Sequence, residues 1–338
     1  MNVPPGSSAA VVDAVVAGHS PDGLELQVFV PLAPGDRTER PITVDQTNVS
    51  VVVGERAVVK WMRSPGDARA PRLLAHLAAA GFTRMPTPHA AAFRDGDLVA
   101  LVTAFLPEAE DGWDWCTGDL LSWLDGGPPA DFAPALGTLA ADLHAALATY
   151  DPTTSTEPGN PADTLAEALA WDDDPWVQSI ASRLESDISV LSGYRSPSPS
   201  LHLHGDLHVG QILRYRGGSL AVTDFDGNPT KTAHPEPAAR DLAQLRTSVL
   251  HVAEIANRRT EGRHRPALLD WGRRAADDLL AAYRTGLDHH GVPHLLDEKL
   301  LRPFEVEQEC RELIYAARFL PRWRYAPMGV LRSWFGDR

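Results

Sequence analysis

The chain has 338 residues, of which 45 are Asp or Glu and 31 are Lys or Arg, so its formal net charge is −14. Because phosphate-rich surfaces attract basic proteins, this balance predicts neither a nucleic acid nor a membrane as a partner. Cys116 and Cys310 are the only cysteines, too few for a disulfide framework or a cysteine zinc site. No apolar run approaches the roughly 18 residues that cross a bilayer, and no signal-peptide pattern is present. We expect a cytoplasmic, monomeric enzyme or small-molecule binder.

The first 105 residues are predicted to form mostly β-structure. Arg69–Ala80 has the periodicity of a helix and is followed by Gly81, a helix stop. Three hairpins are predicted from paired β-prone stretches: 10–17 with 24–32, 48–54 with 56–62, and 90–93 with 98–105. These elements predict an antiparallel sheet with one inserted helix, and the first hairpin is interpreted as a cap on that sheet.

From residue 106 onward the pattern is helical. The predicted helical stretches are 135–149, 165–191, 241–256, 268–287 and 298–319. One short β-type insertion, 201–226, interrupts them. The order predicts an α+β chain of two lobes. The N-terminal lobe covers 1–105, with a cap at about 1–42 and a sheet at about 43–105, and a helical lobe covers 106–338.

The β-type insertion holds three side chains suited to phosphoryl transfer. Asp206 is followed by Gln211 and then by Asp224, on either side of a predicted hairpin formed by 212–215 and 220–223. One carboxylate in such a set orients the attacking hydroxyl, while the other two oxygen ligands hold Mg²⁺ against nucleotide phosphates. The hairpin would bring Gln211 and Asp224 to one end. The alternative interpretation is a surface hairpin whose acids have no catalytic role. The combined spacing of all three residues makes that interpretation the less favoured one.

HGDLHVGQIL at 204–213 and TDFDG at 223–227 resemble the motifs of aminoglycoside phosphotransferases, which share the protein kinase fold. Gln in place of the usual Asn is similar to the maltokinase branch and its glucosamine kinase relatives. Further likeness lies at 45–48, 111–115 and 315–318. The resemblance implies a bilobal kinase-like fold, ATP and Mg²⁺ as cofactors, Asp206 as catalytic base, and Gln211 and Asp224 as metal ligands.

The same resemblance implies two supporting residues. His204 would hold the catalytic loop by hydrogen bonding, and Asp241 would brace it through backbone amides, although an N-cap role also explains Asp241. The role of Asp226 remains open. It is either a second metal contact, a sugar contact, or a turn residue that caps its own backbone.

Lys60 is one of three lysines in the chain and lies late in the predicted strand RAVVKWM. It is interpreted as the lysine that binds the α- and β-phosphates, with Asp67 as its nearest acid. The loop expected to cover the phosphates has no glycine, and a polar hairpin turn would look the same. The residues assigned to the nucleotide are Lys60, Thr47, Asn48, Ser50, Thr103 and Phe105.

Acidic residues on a late predicted helix are candidates for the sugar site. Glu309 and Glu312 share a helix face with Glu305 and Gln308, and carboxylates both accept hydroxyl hydrogen bonds and pair with ammonium groups. A solvated helix face is the alternative. The residues assigned to the substrate are Asp206, His202, Asp226, Glu309, Glu312, Arg318 and Trp323.

The leading hypothesis is an ATP-dependent sugar kinase that phosphorylates D-glucosamine at its 6-hydroxyl. The acid-rich candidate site favours an amino sugar, and Ala316 stands where a maltokinase-like pattern has Glu. A maltokinase forming maltose 1-phosphate is the second hypothesis, and an aminoglycoside phosphotransferase is the third. A nucleotide-binding pseudokinase is a fourth, of a different class, supported by the glycine-free loop.

Overall fold

The structure is a computed structural model that describes residues 3–21, 23–42, 48–66, 68–151, 161–228 and 234–336. The chain forms two compact units. Unit 1 consists of Met1–Glu110 and Leu213–Gly227, and unit 2 of Asp111–Ile212 and Asn228–Arg338. Unit 1 contains most of the β-structure and unit 2 most of the helices, so the predicted α+β class with a β-rich and a helical lobe is confirmed.

Unit 1 is built on a six-stranded antiparallel sheet with two helices. The strands are β1 Glu25–Val28, β2 Glu39–Ile42, β3 Val49–Val53, β4 Ala57–Gly66, β5 Pro88–Arg94 and β6 Asp97–Ala104, and the helices are α1 Ser7–Ala17 and α2 Arg69–Ala79. The strand order is β1-β5-β6-β4-β3-β2. The second and third predicted hairpins and the predicted helix are confirmed.

The turn between β3 and β4 requires a glycine. Gly54 has a φ of 59°, and a Cβ at this position would lie 2.1 Å from the carbonyl oxygen of Asp36. Both the backbone conformation and the close approach therefore exclude a side chain.

The first predicted hairpin is wrong. Residues 10–17 belong to α1, and β1 pairs with β5 instead, with Val28 opposite Ala90. Val12 and Val15 of α1 are buried in one cluster with sheet residues such as Val59. Packing against the sheet therefore outweighs the β-propensity of the valines, and the N-terminal cap on the sheet is a helix.

Unit 2 contains helices α3 to α11 and two short strands. The bounds are α3 Gly112–Leu124, α4 Ala133–Leu147, α5 Pro161–Trp171, α6 Pro175–Ser179, α7 Ala181–Ile188, β7 Ser200–Leu201, β10 Glu236–Pro237, α8 Ala239–Arg259, α9 Arg265–His289, α10 Leu301–Arg318 and α11 Tyr325–Phe335. The predicted stretch 165–191 is broken after Trp171, where Asp174 caps α6 and Pro175 begins it. The sequence reasoning missed α3 and α11.

The remaining hairpin consists of β8 Ile212–Tyr215 and β9 Ser219–Val222, as the glycines at 217 and 218 predict. The residues of this hairpin that belong to unit 1 form backbone hydrogen bonds with the rest of that unit. The amide of Val222 donates to Arg84 O at 2.9 Å, and Glu110 and Arg214 exchange two backbone bonds at 2.8 and 3.1 Å. Within the described ranges, every helix is too short or too polar to cross a membrane.

Candidate active site

The loop after β7 carries Asp206 and is held by Asp241 of α8. The two carboxylate oxygens of Asp241 accept hydrogen bonds from the amides of His204 at 2.9 Å and Gly205 at 3.0 Å. Asp241 is fully buried. Burial raises its pKa, but the hydrogen bonds that it forms with His144 and the Gly205 amide outweigh burial and lower the pKa below its ordinary value. Asp241 is therefore a buried anion that fixes the backbone of the two residues preceding Asp206.

A second layer of buried groups lies behind Asp241. His144 of α4 places Nε2 3.4 Å from Asp241 Oδ2, and its Nδ1 is 2.7 Å from the Tyr283 hydroxyl on α9. All three side chains are fully buried. The loop is thus anchored to three helices at once.

Asp206 is oriented by two polar side chains. Its Oδ1 accepts a hydrogen bond of 2.7 Å from Gln244 Nε2, and His208 Nε2 lies 3.8 Å from its Oδ2. Gln244 stands one helical turn after Asp241 on α8. The sequence reasoning missed Gln244, although the i, i+3 spacing from Asp241 marks it as facing the same loop.

One face of α8 organises the loop over its whole length. After Asp241 and Gln244, Ser248 Oγ accepts from the Val209 amide at 3.0 Å, and His251 lies 3.0 Å from Glu309 on α10. These positions follow i, i+3, i+7 and i+10, which is one face of a helix.

Lys60 of β4 binds two of the predicted acids within unit 1. Its Nζ donates to Asp224 Oδ1 at 2.7 Å and to Asp226 Oδ2 at 2.8 Å. Burial lowers the pKa of Lys60, but the two carboxylates outweigh burial and raise it above its ordinary value. The pKa of Asp226 is raised, chiefly by burial, with Lys60 opposing the shift. The suggested partner Asp67 lies outside the described residues.

The predicted metal ligands fit Mg²⁺ by their chemistry. Gln211 ends a short 3₁₀ turn directly before β8, and Asp224 is the second residue after β9. Amide and carboxylate oxygens are Mg²⁺ ligands, and this ion keeps waters and phosphate oxygens as its other ligands. The described part of the chain contains no group of three or more His, Cys, Asp or Glu side chains arranged to hold a metal. Joint coordination by Gln211 and Asp224 stays a prediction.

Two of the residues assigned to the phosphates lie side by side in the sheet. Ser50 is directly opposite Lys60 in the β3–β4 pairing. Asn48 is buried, and its Oδ1 accepts from the Arg63 amide at 3.3 Å. Thr47 lies outside the described residues.

Thr103 and Phe105, which are assigned to the nucleotide, lie near the end of β6 and directly after it. Thr103 is opposite Val58 of β4, and the Phe105 amide donates to Arg56 O at 3.0 Å. The Ala104 amide donates to Thr87 O at 2.8 Å. Hydrogen bonds within unit 1 therefore fix the backbone of this segment.

An aromatic cluster continues from Asp206 within unit 2 and consists of Trp113, His208, His251 and Trp323. The rings of Trp113 and His208 stack with centroids 5.5 Å apart, and Trp323 meets Trp113 edge-on at 5.3 Å. His251 contacts both tryptophans, at 6.5 and 5.5 Å. Stacked and edge-on indoles of this kind offer apolar faces suited to the C–H surface of a sugar.

Glu309 and Glu312 of α10 line the same cluster. Glu309 is fully buried, and its Oε2 lies 3.0 Å from His251 Nε2. Its Oε1 has no hydrogen-bond partner among the described residues. Glu312 accepts from Trp323 Nε1 at 2.7 Å and from Gln308 Nε2 at 3.0 Å. The structure therefore brings Asp206, Trp323, Glu309 and Glu312 together through the aromatic cluster.

The Glu309–His251 pair favours an additional proton. Burial raises the pKa of Glu309 to about 7, although the positive charge of His251 opposes the shift. Burial lowers the pKa of His251, but Glu309 outweighs it and the net shift is upward. A buried carboxyl with a raised pKa and an oxygen without a partner is a strong acceptor for a charged donor.

The solvated-face alternative for the acids of α10 is wrong. Glu305, Glu307, Gln308 and Glu309 are all buried. Glu305 pairs with Arg246, and Glu307 lies 2.7 Å from Arg240. Burial raises the pKa of Glu307, but Arg240 and Arg311 outweigh it and lower the pKa to about 2. These acids are largely compensated by arginines of α8, which leaves Glu309 and Glu312 as the substrate candidates of this helix.

Two predicted substrate residues have contacts outside the cluster. Arg318 donates to Glu167 at 3.3 Å and stands over the Phe319 ring at 5.2 Å. His202 packs edge-on against Tyr150 at 5.3 Å. His251, which the sequence reasoning missed, lies on the α8 face that carries Asp241 and Gln244.

Comparison with solved structures first gives the class of the fold. The GDP complex of aminoglycoside 2'-phosphotransferase-IIIa superposes with a TM-score of 0.54 at 14% identity, over 88% of this chain and 92% of that one. At that identity the likeness concerns the fold alone, which is the kinase-like fold of the aminoglycoside phosphotransferases.

Closer relatives are glucosamine kinases. Those of Streptacidiphilus jiangxiensis and Mycolicibacterium smegmatis are each 39% identical, over 92% and 87% of this chain and 76% and 79% of the relatives. A solved glucosamine kinase in complex with glucosamine, ADP and inorganic phosphate superposes with a TM-score of 0.85 at 34% identity, over 99% of this chain and 84% of that one. No family model matches the chain.

The chain belongs to the glucosamine kinase family. Its predicted class, an ATP-dependent phosphotransferase with an alcohol group as acceptor, is confirmed.

Proposed function

We propose that this protein transfers the γ-phosphoryl group of ATP to the 6-hydroxyl of D-glucosamine. The observation that carries the proposal is the unbroken line of contacts in unit 2 from Asp206 through His208, Trp113 and Trp323 to Glu312. This line joins a candidate base to an acidic, aromatic surface of the kind that binds an amino sugar. The solved glucosamine kinase with glucosamine and ADP supports the same acceptor.

In this proposal Asp206 orients the sugar hydroxyl and accepts its proton as the hydroxyl attacks. Gln244 keeps one carboxylate oxygen in place, so that the other can face the acceptor. Lys60 binds the phosphates of ATP, and Mg²⁺ held by Gln211 and Asp224 would neutralise charge on the transferred group. Unit 1 would carry the nucleotide and unit 2 the sugar.

Glu309 and Glu312 give the proposal its preference for an amine. A neutral sugar can hydrogen-bond to these carboxylates, whereas an ammonium adds a charge-assisted bond to the vacant Oε1 of Glu309. Maltokinase activity is less well supported, because Ala316, in the place of the Glu of that pattern, is fully buried. Turnover measurements distinguish glucosamine from an aminoglycoside acceptor, and an active enzyme from a nucleotide-binding pseudokinase.

The first experiment is an ATP-consumption assay with Mg²⁺ against glucosamine, glucose, maltose and kanamycin in parallel. Turnover of glucosamine far above the other three is the expected result, and phosphorus NMR of the product should place the phosphate on the 6-oxygen. Preferred turnover of maltose or kanamycin would replace the proposed acceptor. Failure with all four would favour a pseudokinase.

The Glu309→Gln variant should raise the KM for glucosamine at least tenfold and the KM for glucose about twofold or less. Loss of one charge-assisted bond worth about 1.5–3 kcal/mol accounts for the larger effect, and glucose lacks the ammonium that this bond requires. Initial rates with both sugars at pH 8, where Glu309 with a pKa of about 7 is ionised, measure the difference. Glu185→Gln, at an exposed position of α7, is the control. Equal effects on both sugars would remove Glu309 from amine recognition.

The Lys60→Met variant should raise the KM for ATP at least tenfold. The substitution removes the ammonium proposed to bind phosphate, together with its ion pairs to Asp224 and Asp226. Lys299→Met provides a matched control, since Lys299 is an exposed lysine in unit 2. Kinetics with varied ATP at saturating sugar test the assignment, which an unchanged KM for ATP would contradict.

A further inference from the structure

An arginine-lined groove lies on unit 2, and its charge is opposite to that of the chain as a whole. The groove has a volume of about 820 Å³, and its lining includes five arginines, Arg258, Arg265, Arg322, Arg324 and Arg332, together with one acid, Glu254. The whole chain has a net charge of −14. Five guanidinium groups around one cavity repel one another, and Glu254 offsets only one of their charges.

Two of the five arginines are neutralised by carboxylates. Arg324 binds Asp172 at 2.7 and 2.8 Å and Asp174 at 3.0 Å. Arg265 lies 3.4 Å from Glu254 Oε2. These contacts are structural and account for two of the charges.

The other three arginines form no ion pair within 4.0 Å in the described ranges. Asp174, whose pKa is lowered chiefly by its hydrogen bond from Arg324, also interacts with the charge of Arg332 at longer range. The closer contacts of Arg258 and Arg332 are with rings and a carbonyl group. Arg258 stands over the Tyr325 ring at 4.3 Å and donates to Arg322 O at 3.3 Å. Arg332 stands over the Trp176 ring at 5.6 Å. Stacking holds a guanidinium in place without neutralising it.

Part of the lining of the groove is apolar. Pro321, Tyr325 and Met328 line it together with the arginines. Guanidinium groups match the geometry of phosphate oxygens in bidentate fashion, and apolar lining residues suit the carbon portion of an organic ligand. The combination fits a small phosphorylated organic molecule better than an inorganic anion.

We propose that this arginine-lined groove is a second, non-catalytic binding site for a phosphate monoester. None of its residues belongs to the groups assigned above to the base, the nucleotide or the acceptor. The inference does not depend on which sugar the protein phosphorylates. The ligand class is a small dianionic phosphate ester, held by Arg258, Arg322 and Arg332.

Calorimetric titration with glycerol 3-phosphate and, separately, with inorganic phosphate tests the site. The double variant R322Q/R332Q removes two charges at exposed positions, and R273Q/R274Q removes two from the exposed side of α9. We expect R322Q/R332Q to weaken binding of glycerol 3-phosphate at least tenfold, with R273Q/R274Q within twofold of the wild type. Inorganic phosphate should bind more weakly than the ester, because it has no carbon portion to contact the apolar lining residues.

The Lys60→Met variant separates this groove from the catalytic site. Unchanged binding of glycerol 3-phosphate by Lys60→Met would support a separate site, whereas loss of binding would place the ester at the nucleotide residues and overturn the proposal. Equal weakening in both arginine double variants, or no saturable binding to the wild type, would also overturn it. R322Q/R332Q should retain kinase activity. Its activity therefore distinguishes a failure of this second-site proposal from a failure of the proposed function.

Discussion

Asp206→Asn is expected to lower kcat at least a thousandfold while leaving the affinity for ADP with Mg²⁺ within about threefold. The substitution preserves the shape of the side chain and one oxygen, but it removes the carboxylate that we propose takes the proton from the acceptor. General base catalysis contributes typically 10²–10⁴-fold, and the amide also disturbs the 2.7 Å bond from Gln244. The residues assigned to ATP other than Gln211 lie in unit 1, so binding of the nucleotide should survive.

Two measurements are needed for this prediction. Steady-state rates with glucosamine give kcat, and calorimetric titration with ADP and Mg²⁺ gives the affinity. Asp278→Asn, at an exposed position of α9, controls for the loss of one negative charge. A variant that keeps more than a tenth of the wild-type kcat would remove Asp206 as the base. A parallel loss of ADP affinity would instead indicate a misplaced loop.

The catalytic segment could be predicted from sequence because its signals are local. Two glycines at 217 and 218, flanked by β-prone residues, fix the hairpin of β8 and β9 without reference to the rest of the chain. The spacing of Asp206, Gln211 and Asp224 then follows from a loop and a hairpin of set length. The kinase-like fold and the class of reaction both rest on this segment.

The N-terminal helix α1 shows where local signals fail. Its valines favour a strand, yet Val12 and Val15 are buried against the sheet as one face of a helix. Gly18, in the left-handed conformation at the end of α1, is a helix stop that the sequence already contained. Packing against strands far along the chain decides that this segment is helical, and local propensity contains no information about such packing.

The surroundings of the acids of α10 could not be predicted from the sequence for a related reason. Their spacing was visible, but the arginines that neutralise them were not, because Arg240 and Arg246 lie about 60 residues earlier on α8. Only the fold identifies Glu309 as a buried acid whose Oε1 has neither a hydrogen-bond partner nor an arginine beside it among the described residues. The polar stripe of α8, which includes Gln244 and His251, was present in the sequence at helical spacing. A stripe of polar residues on a helix with apolar flanks indicates partners inside the protein.

The polar stripe of α8 begins with Asp241. The Asp241→Asn substitution should lower the free energy of unfolding of unit 2 by about 3 kcal/mol at pH 7. An asparagine can accept only one of the two amide hydrogen bonds, so that the His204 or Gly205 amide would face an NH₂ group in a buried site. It also removes the charge that His144 faces. Breaking a buried charged network by altering one partner costs roughly 3–5 kcal/mol, and the conservative change places the estimate at the lower end.

The pH dependence has a definite sign. Because the pKa of Asp241 is lower in the folded protein than in the unfolded chain, its contribution is fully present above the ordinary Asp pKa of about 3.9. That contribution is lost as the pH falls through the lower, folded pKa. The stability difference between wild type and Asp241→Asn should therefore be constant from pH 7 to about pH 5 and shrink on further acidification. Urea unfolding followed by tryptophan fluorescence reports on unit 2, which holds eight of the nine tryptophans. Asp278→Asn again serves as the control. A difference below 1 kcal/mol at pH 7, or one that widens in acid, would show that Asp241 is not the buried anion on which the catalytic loop is built.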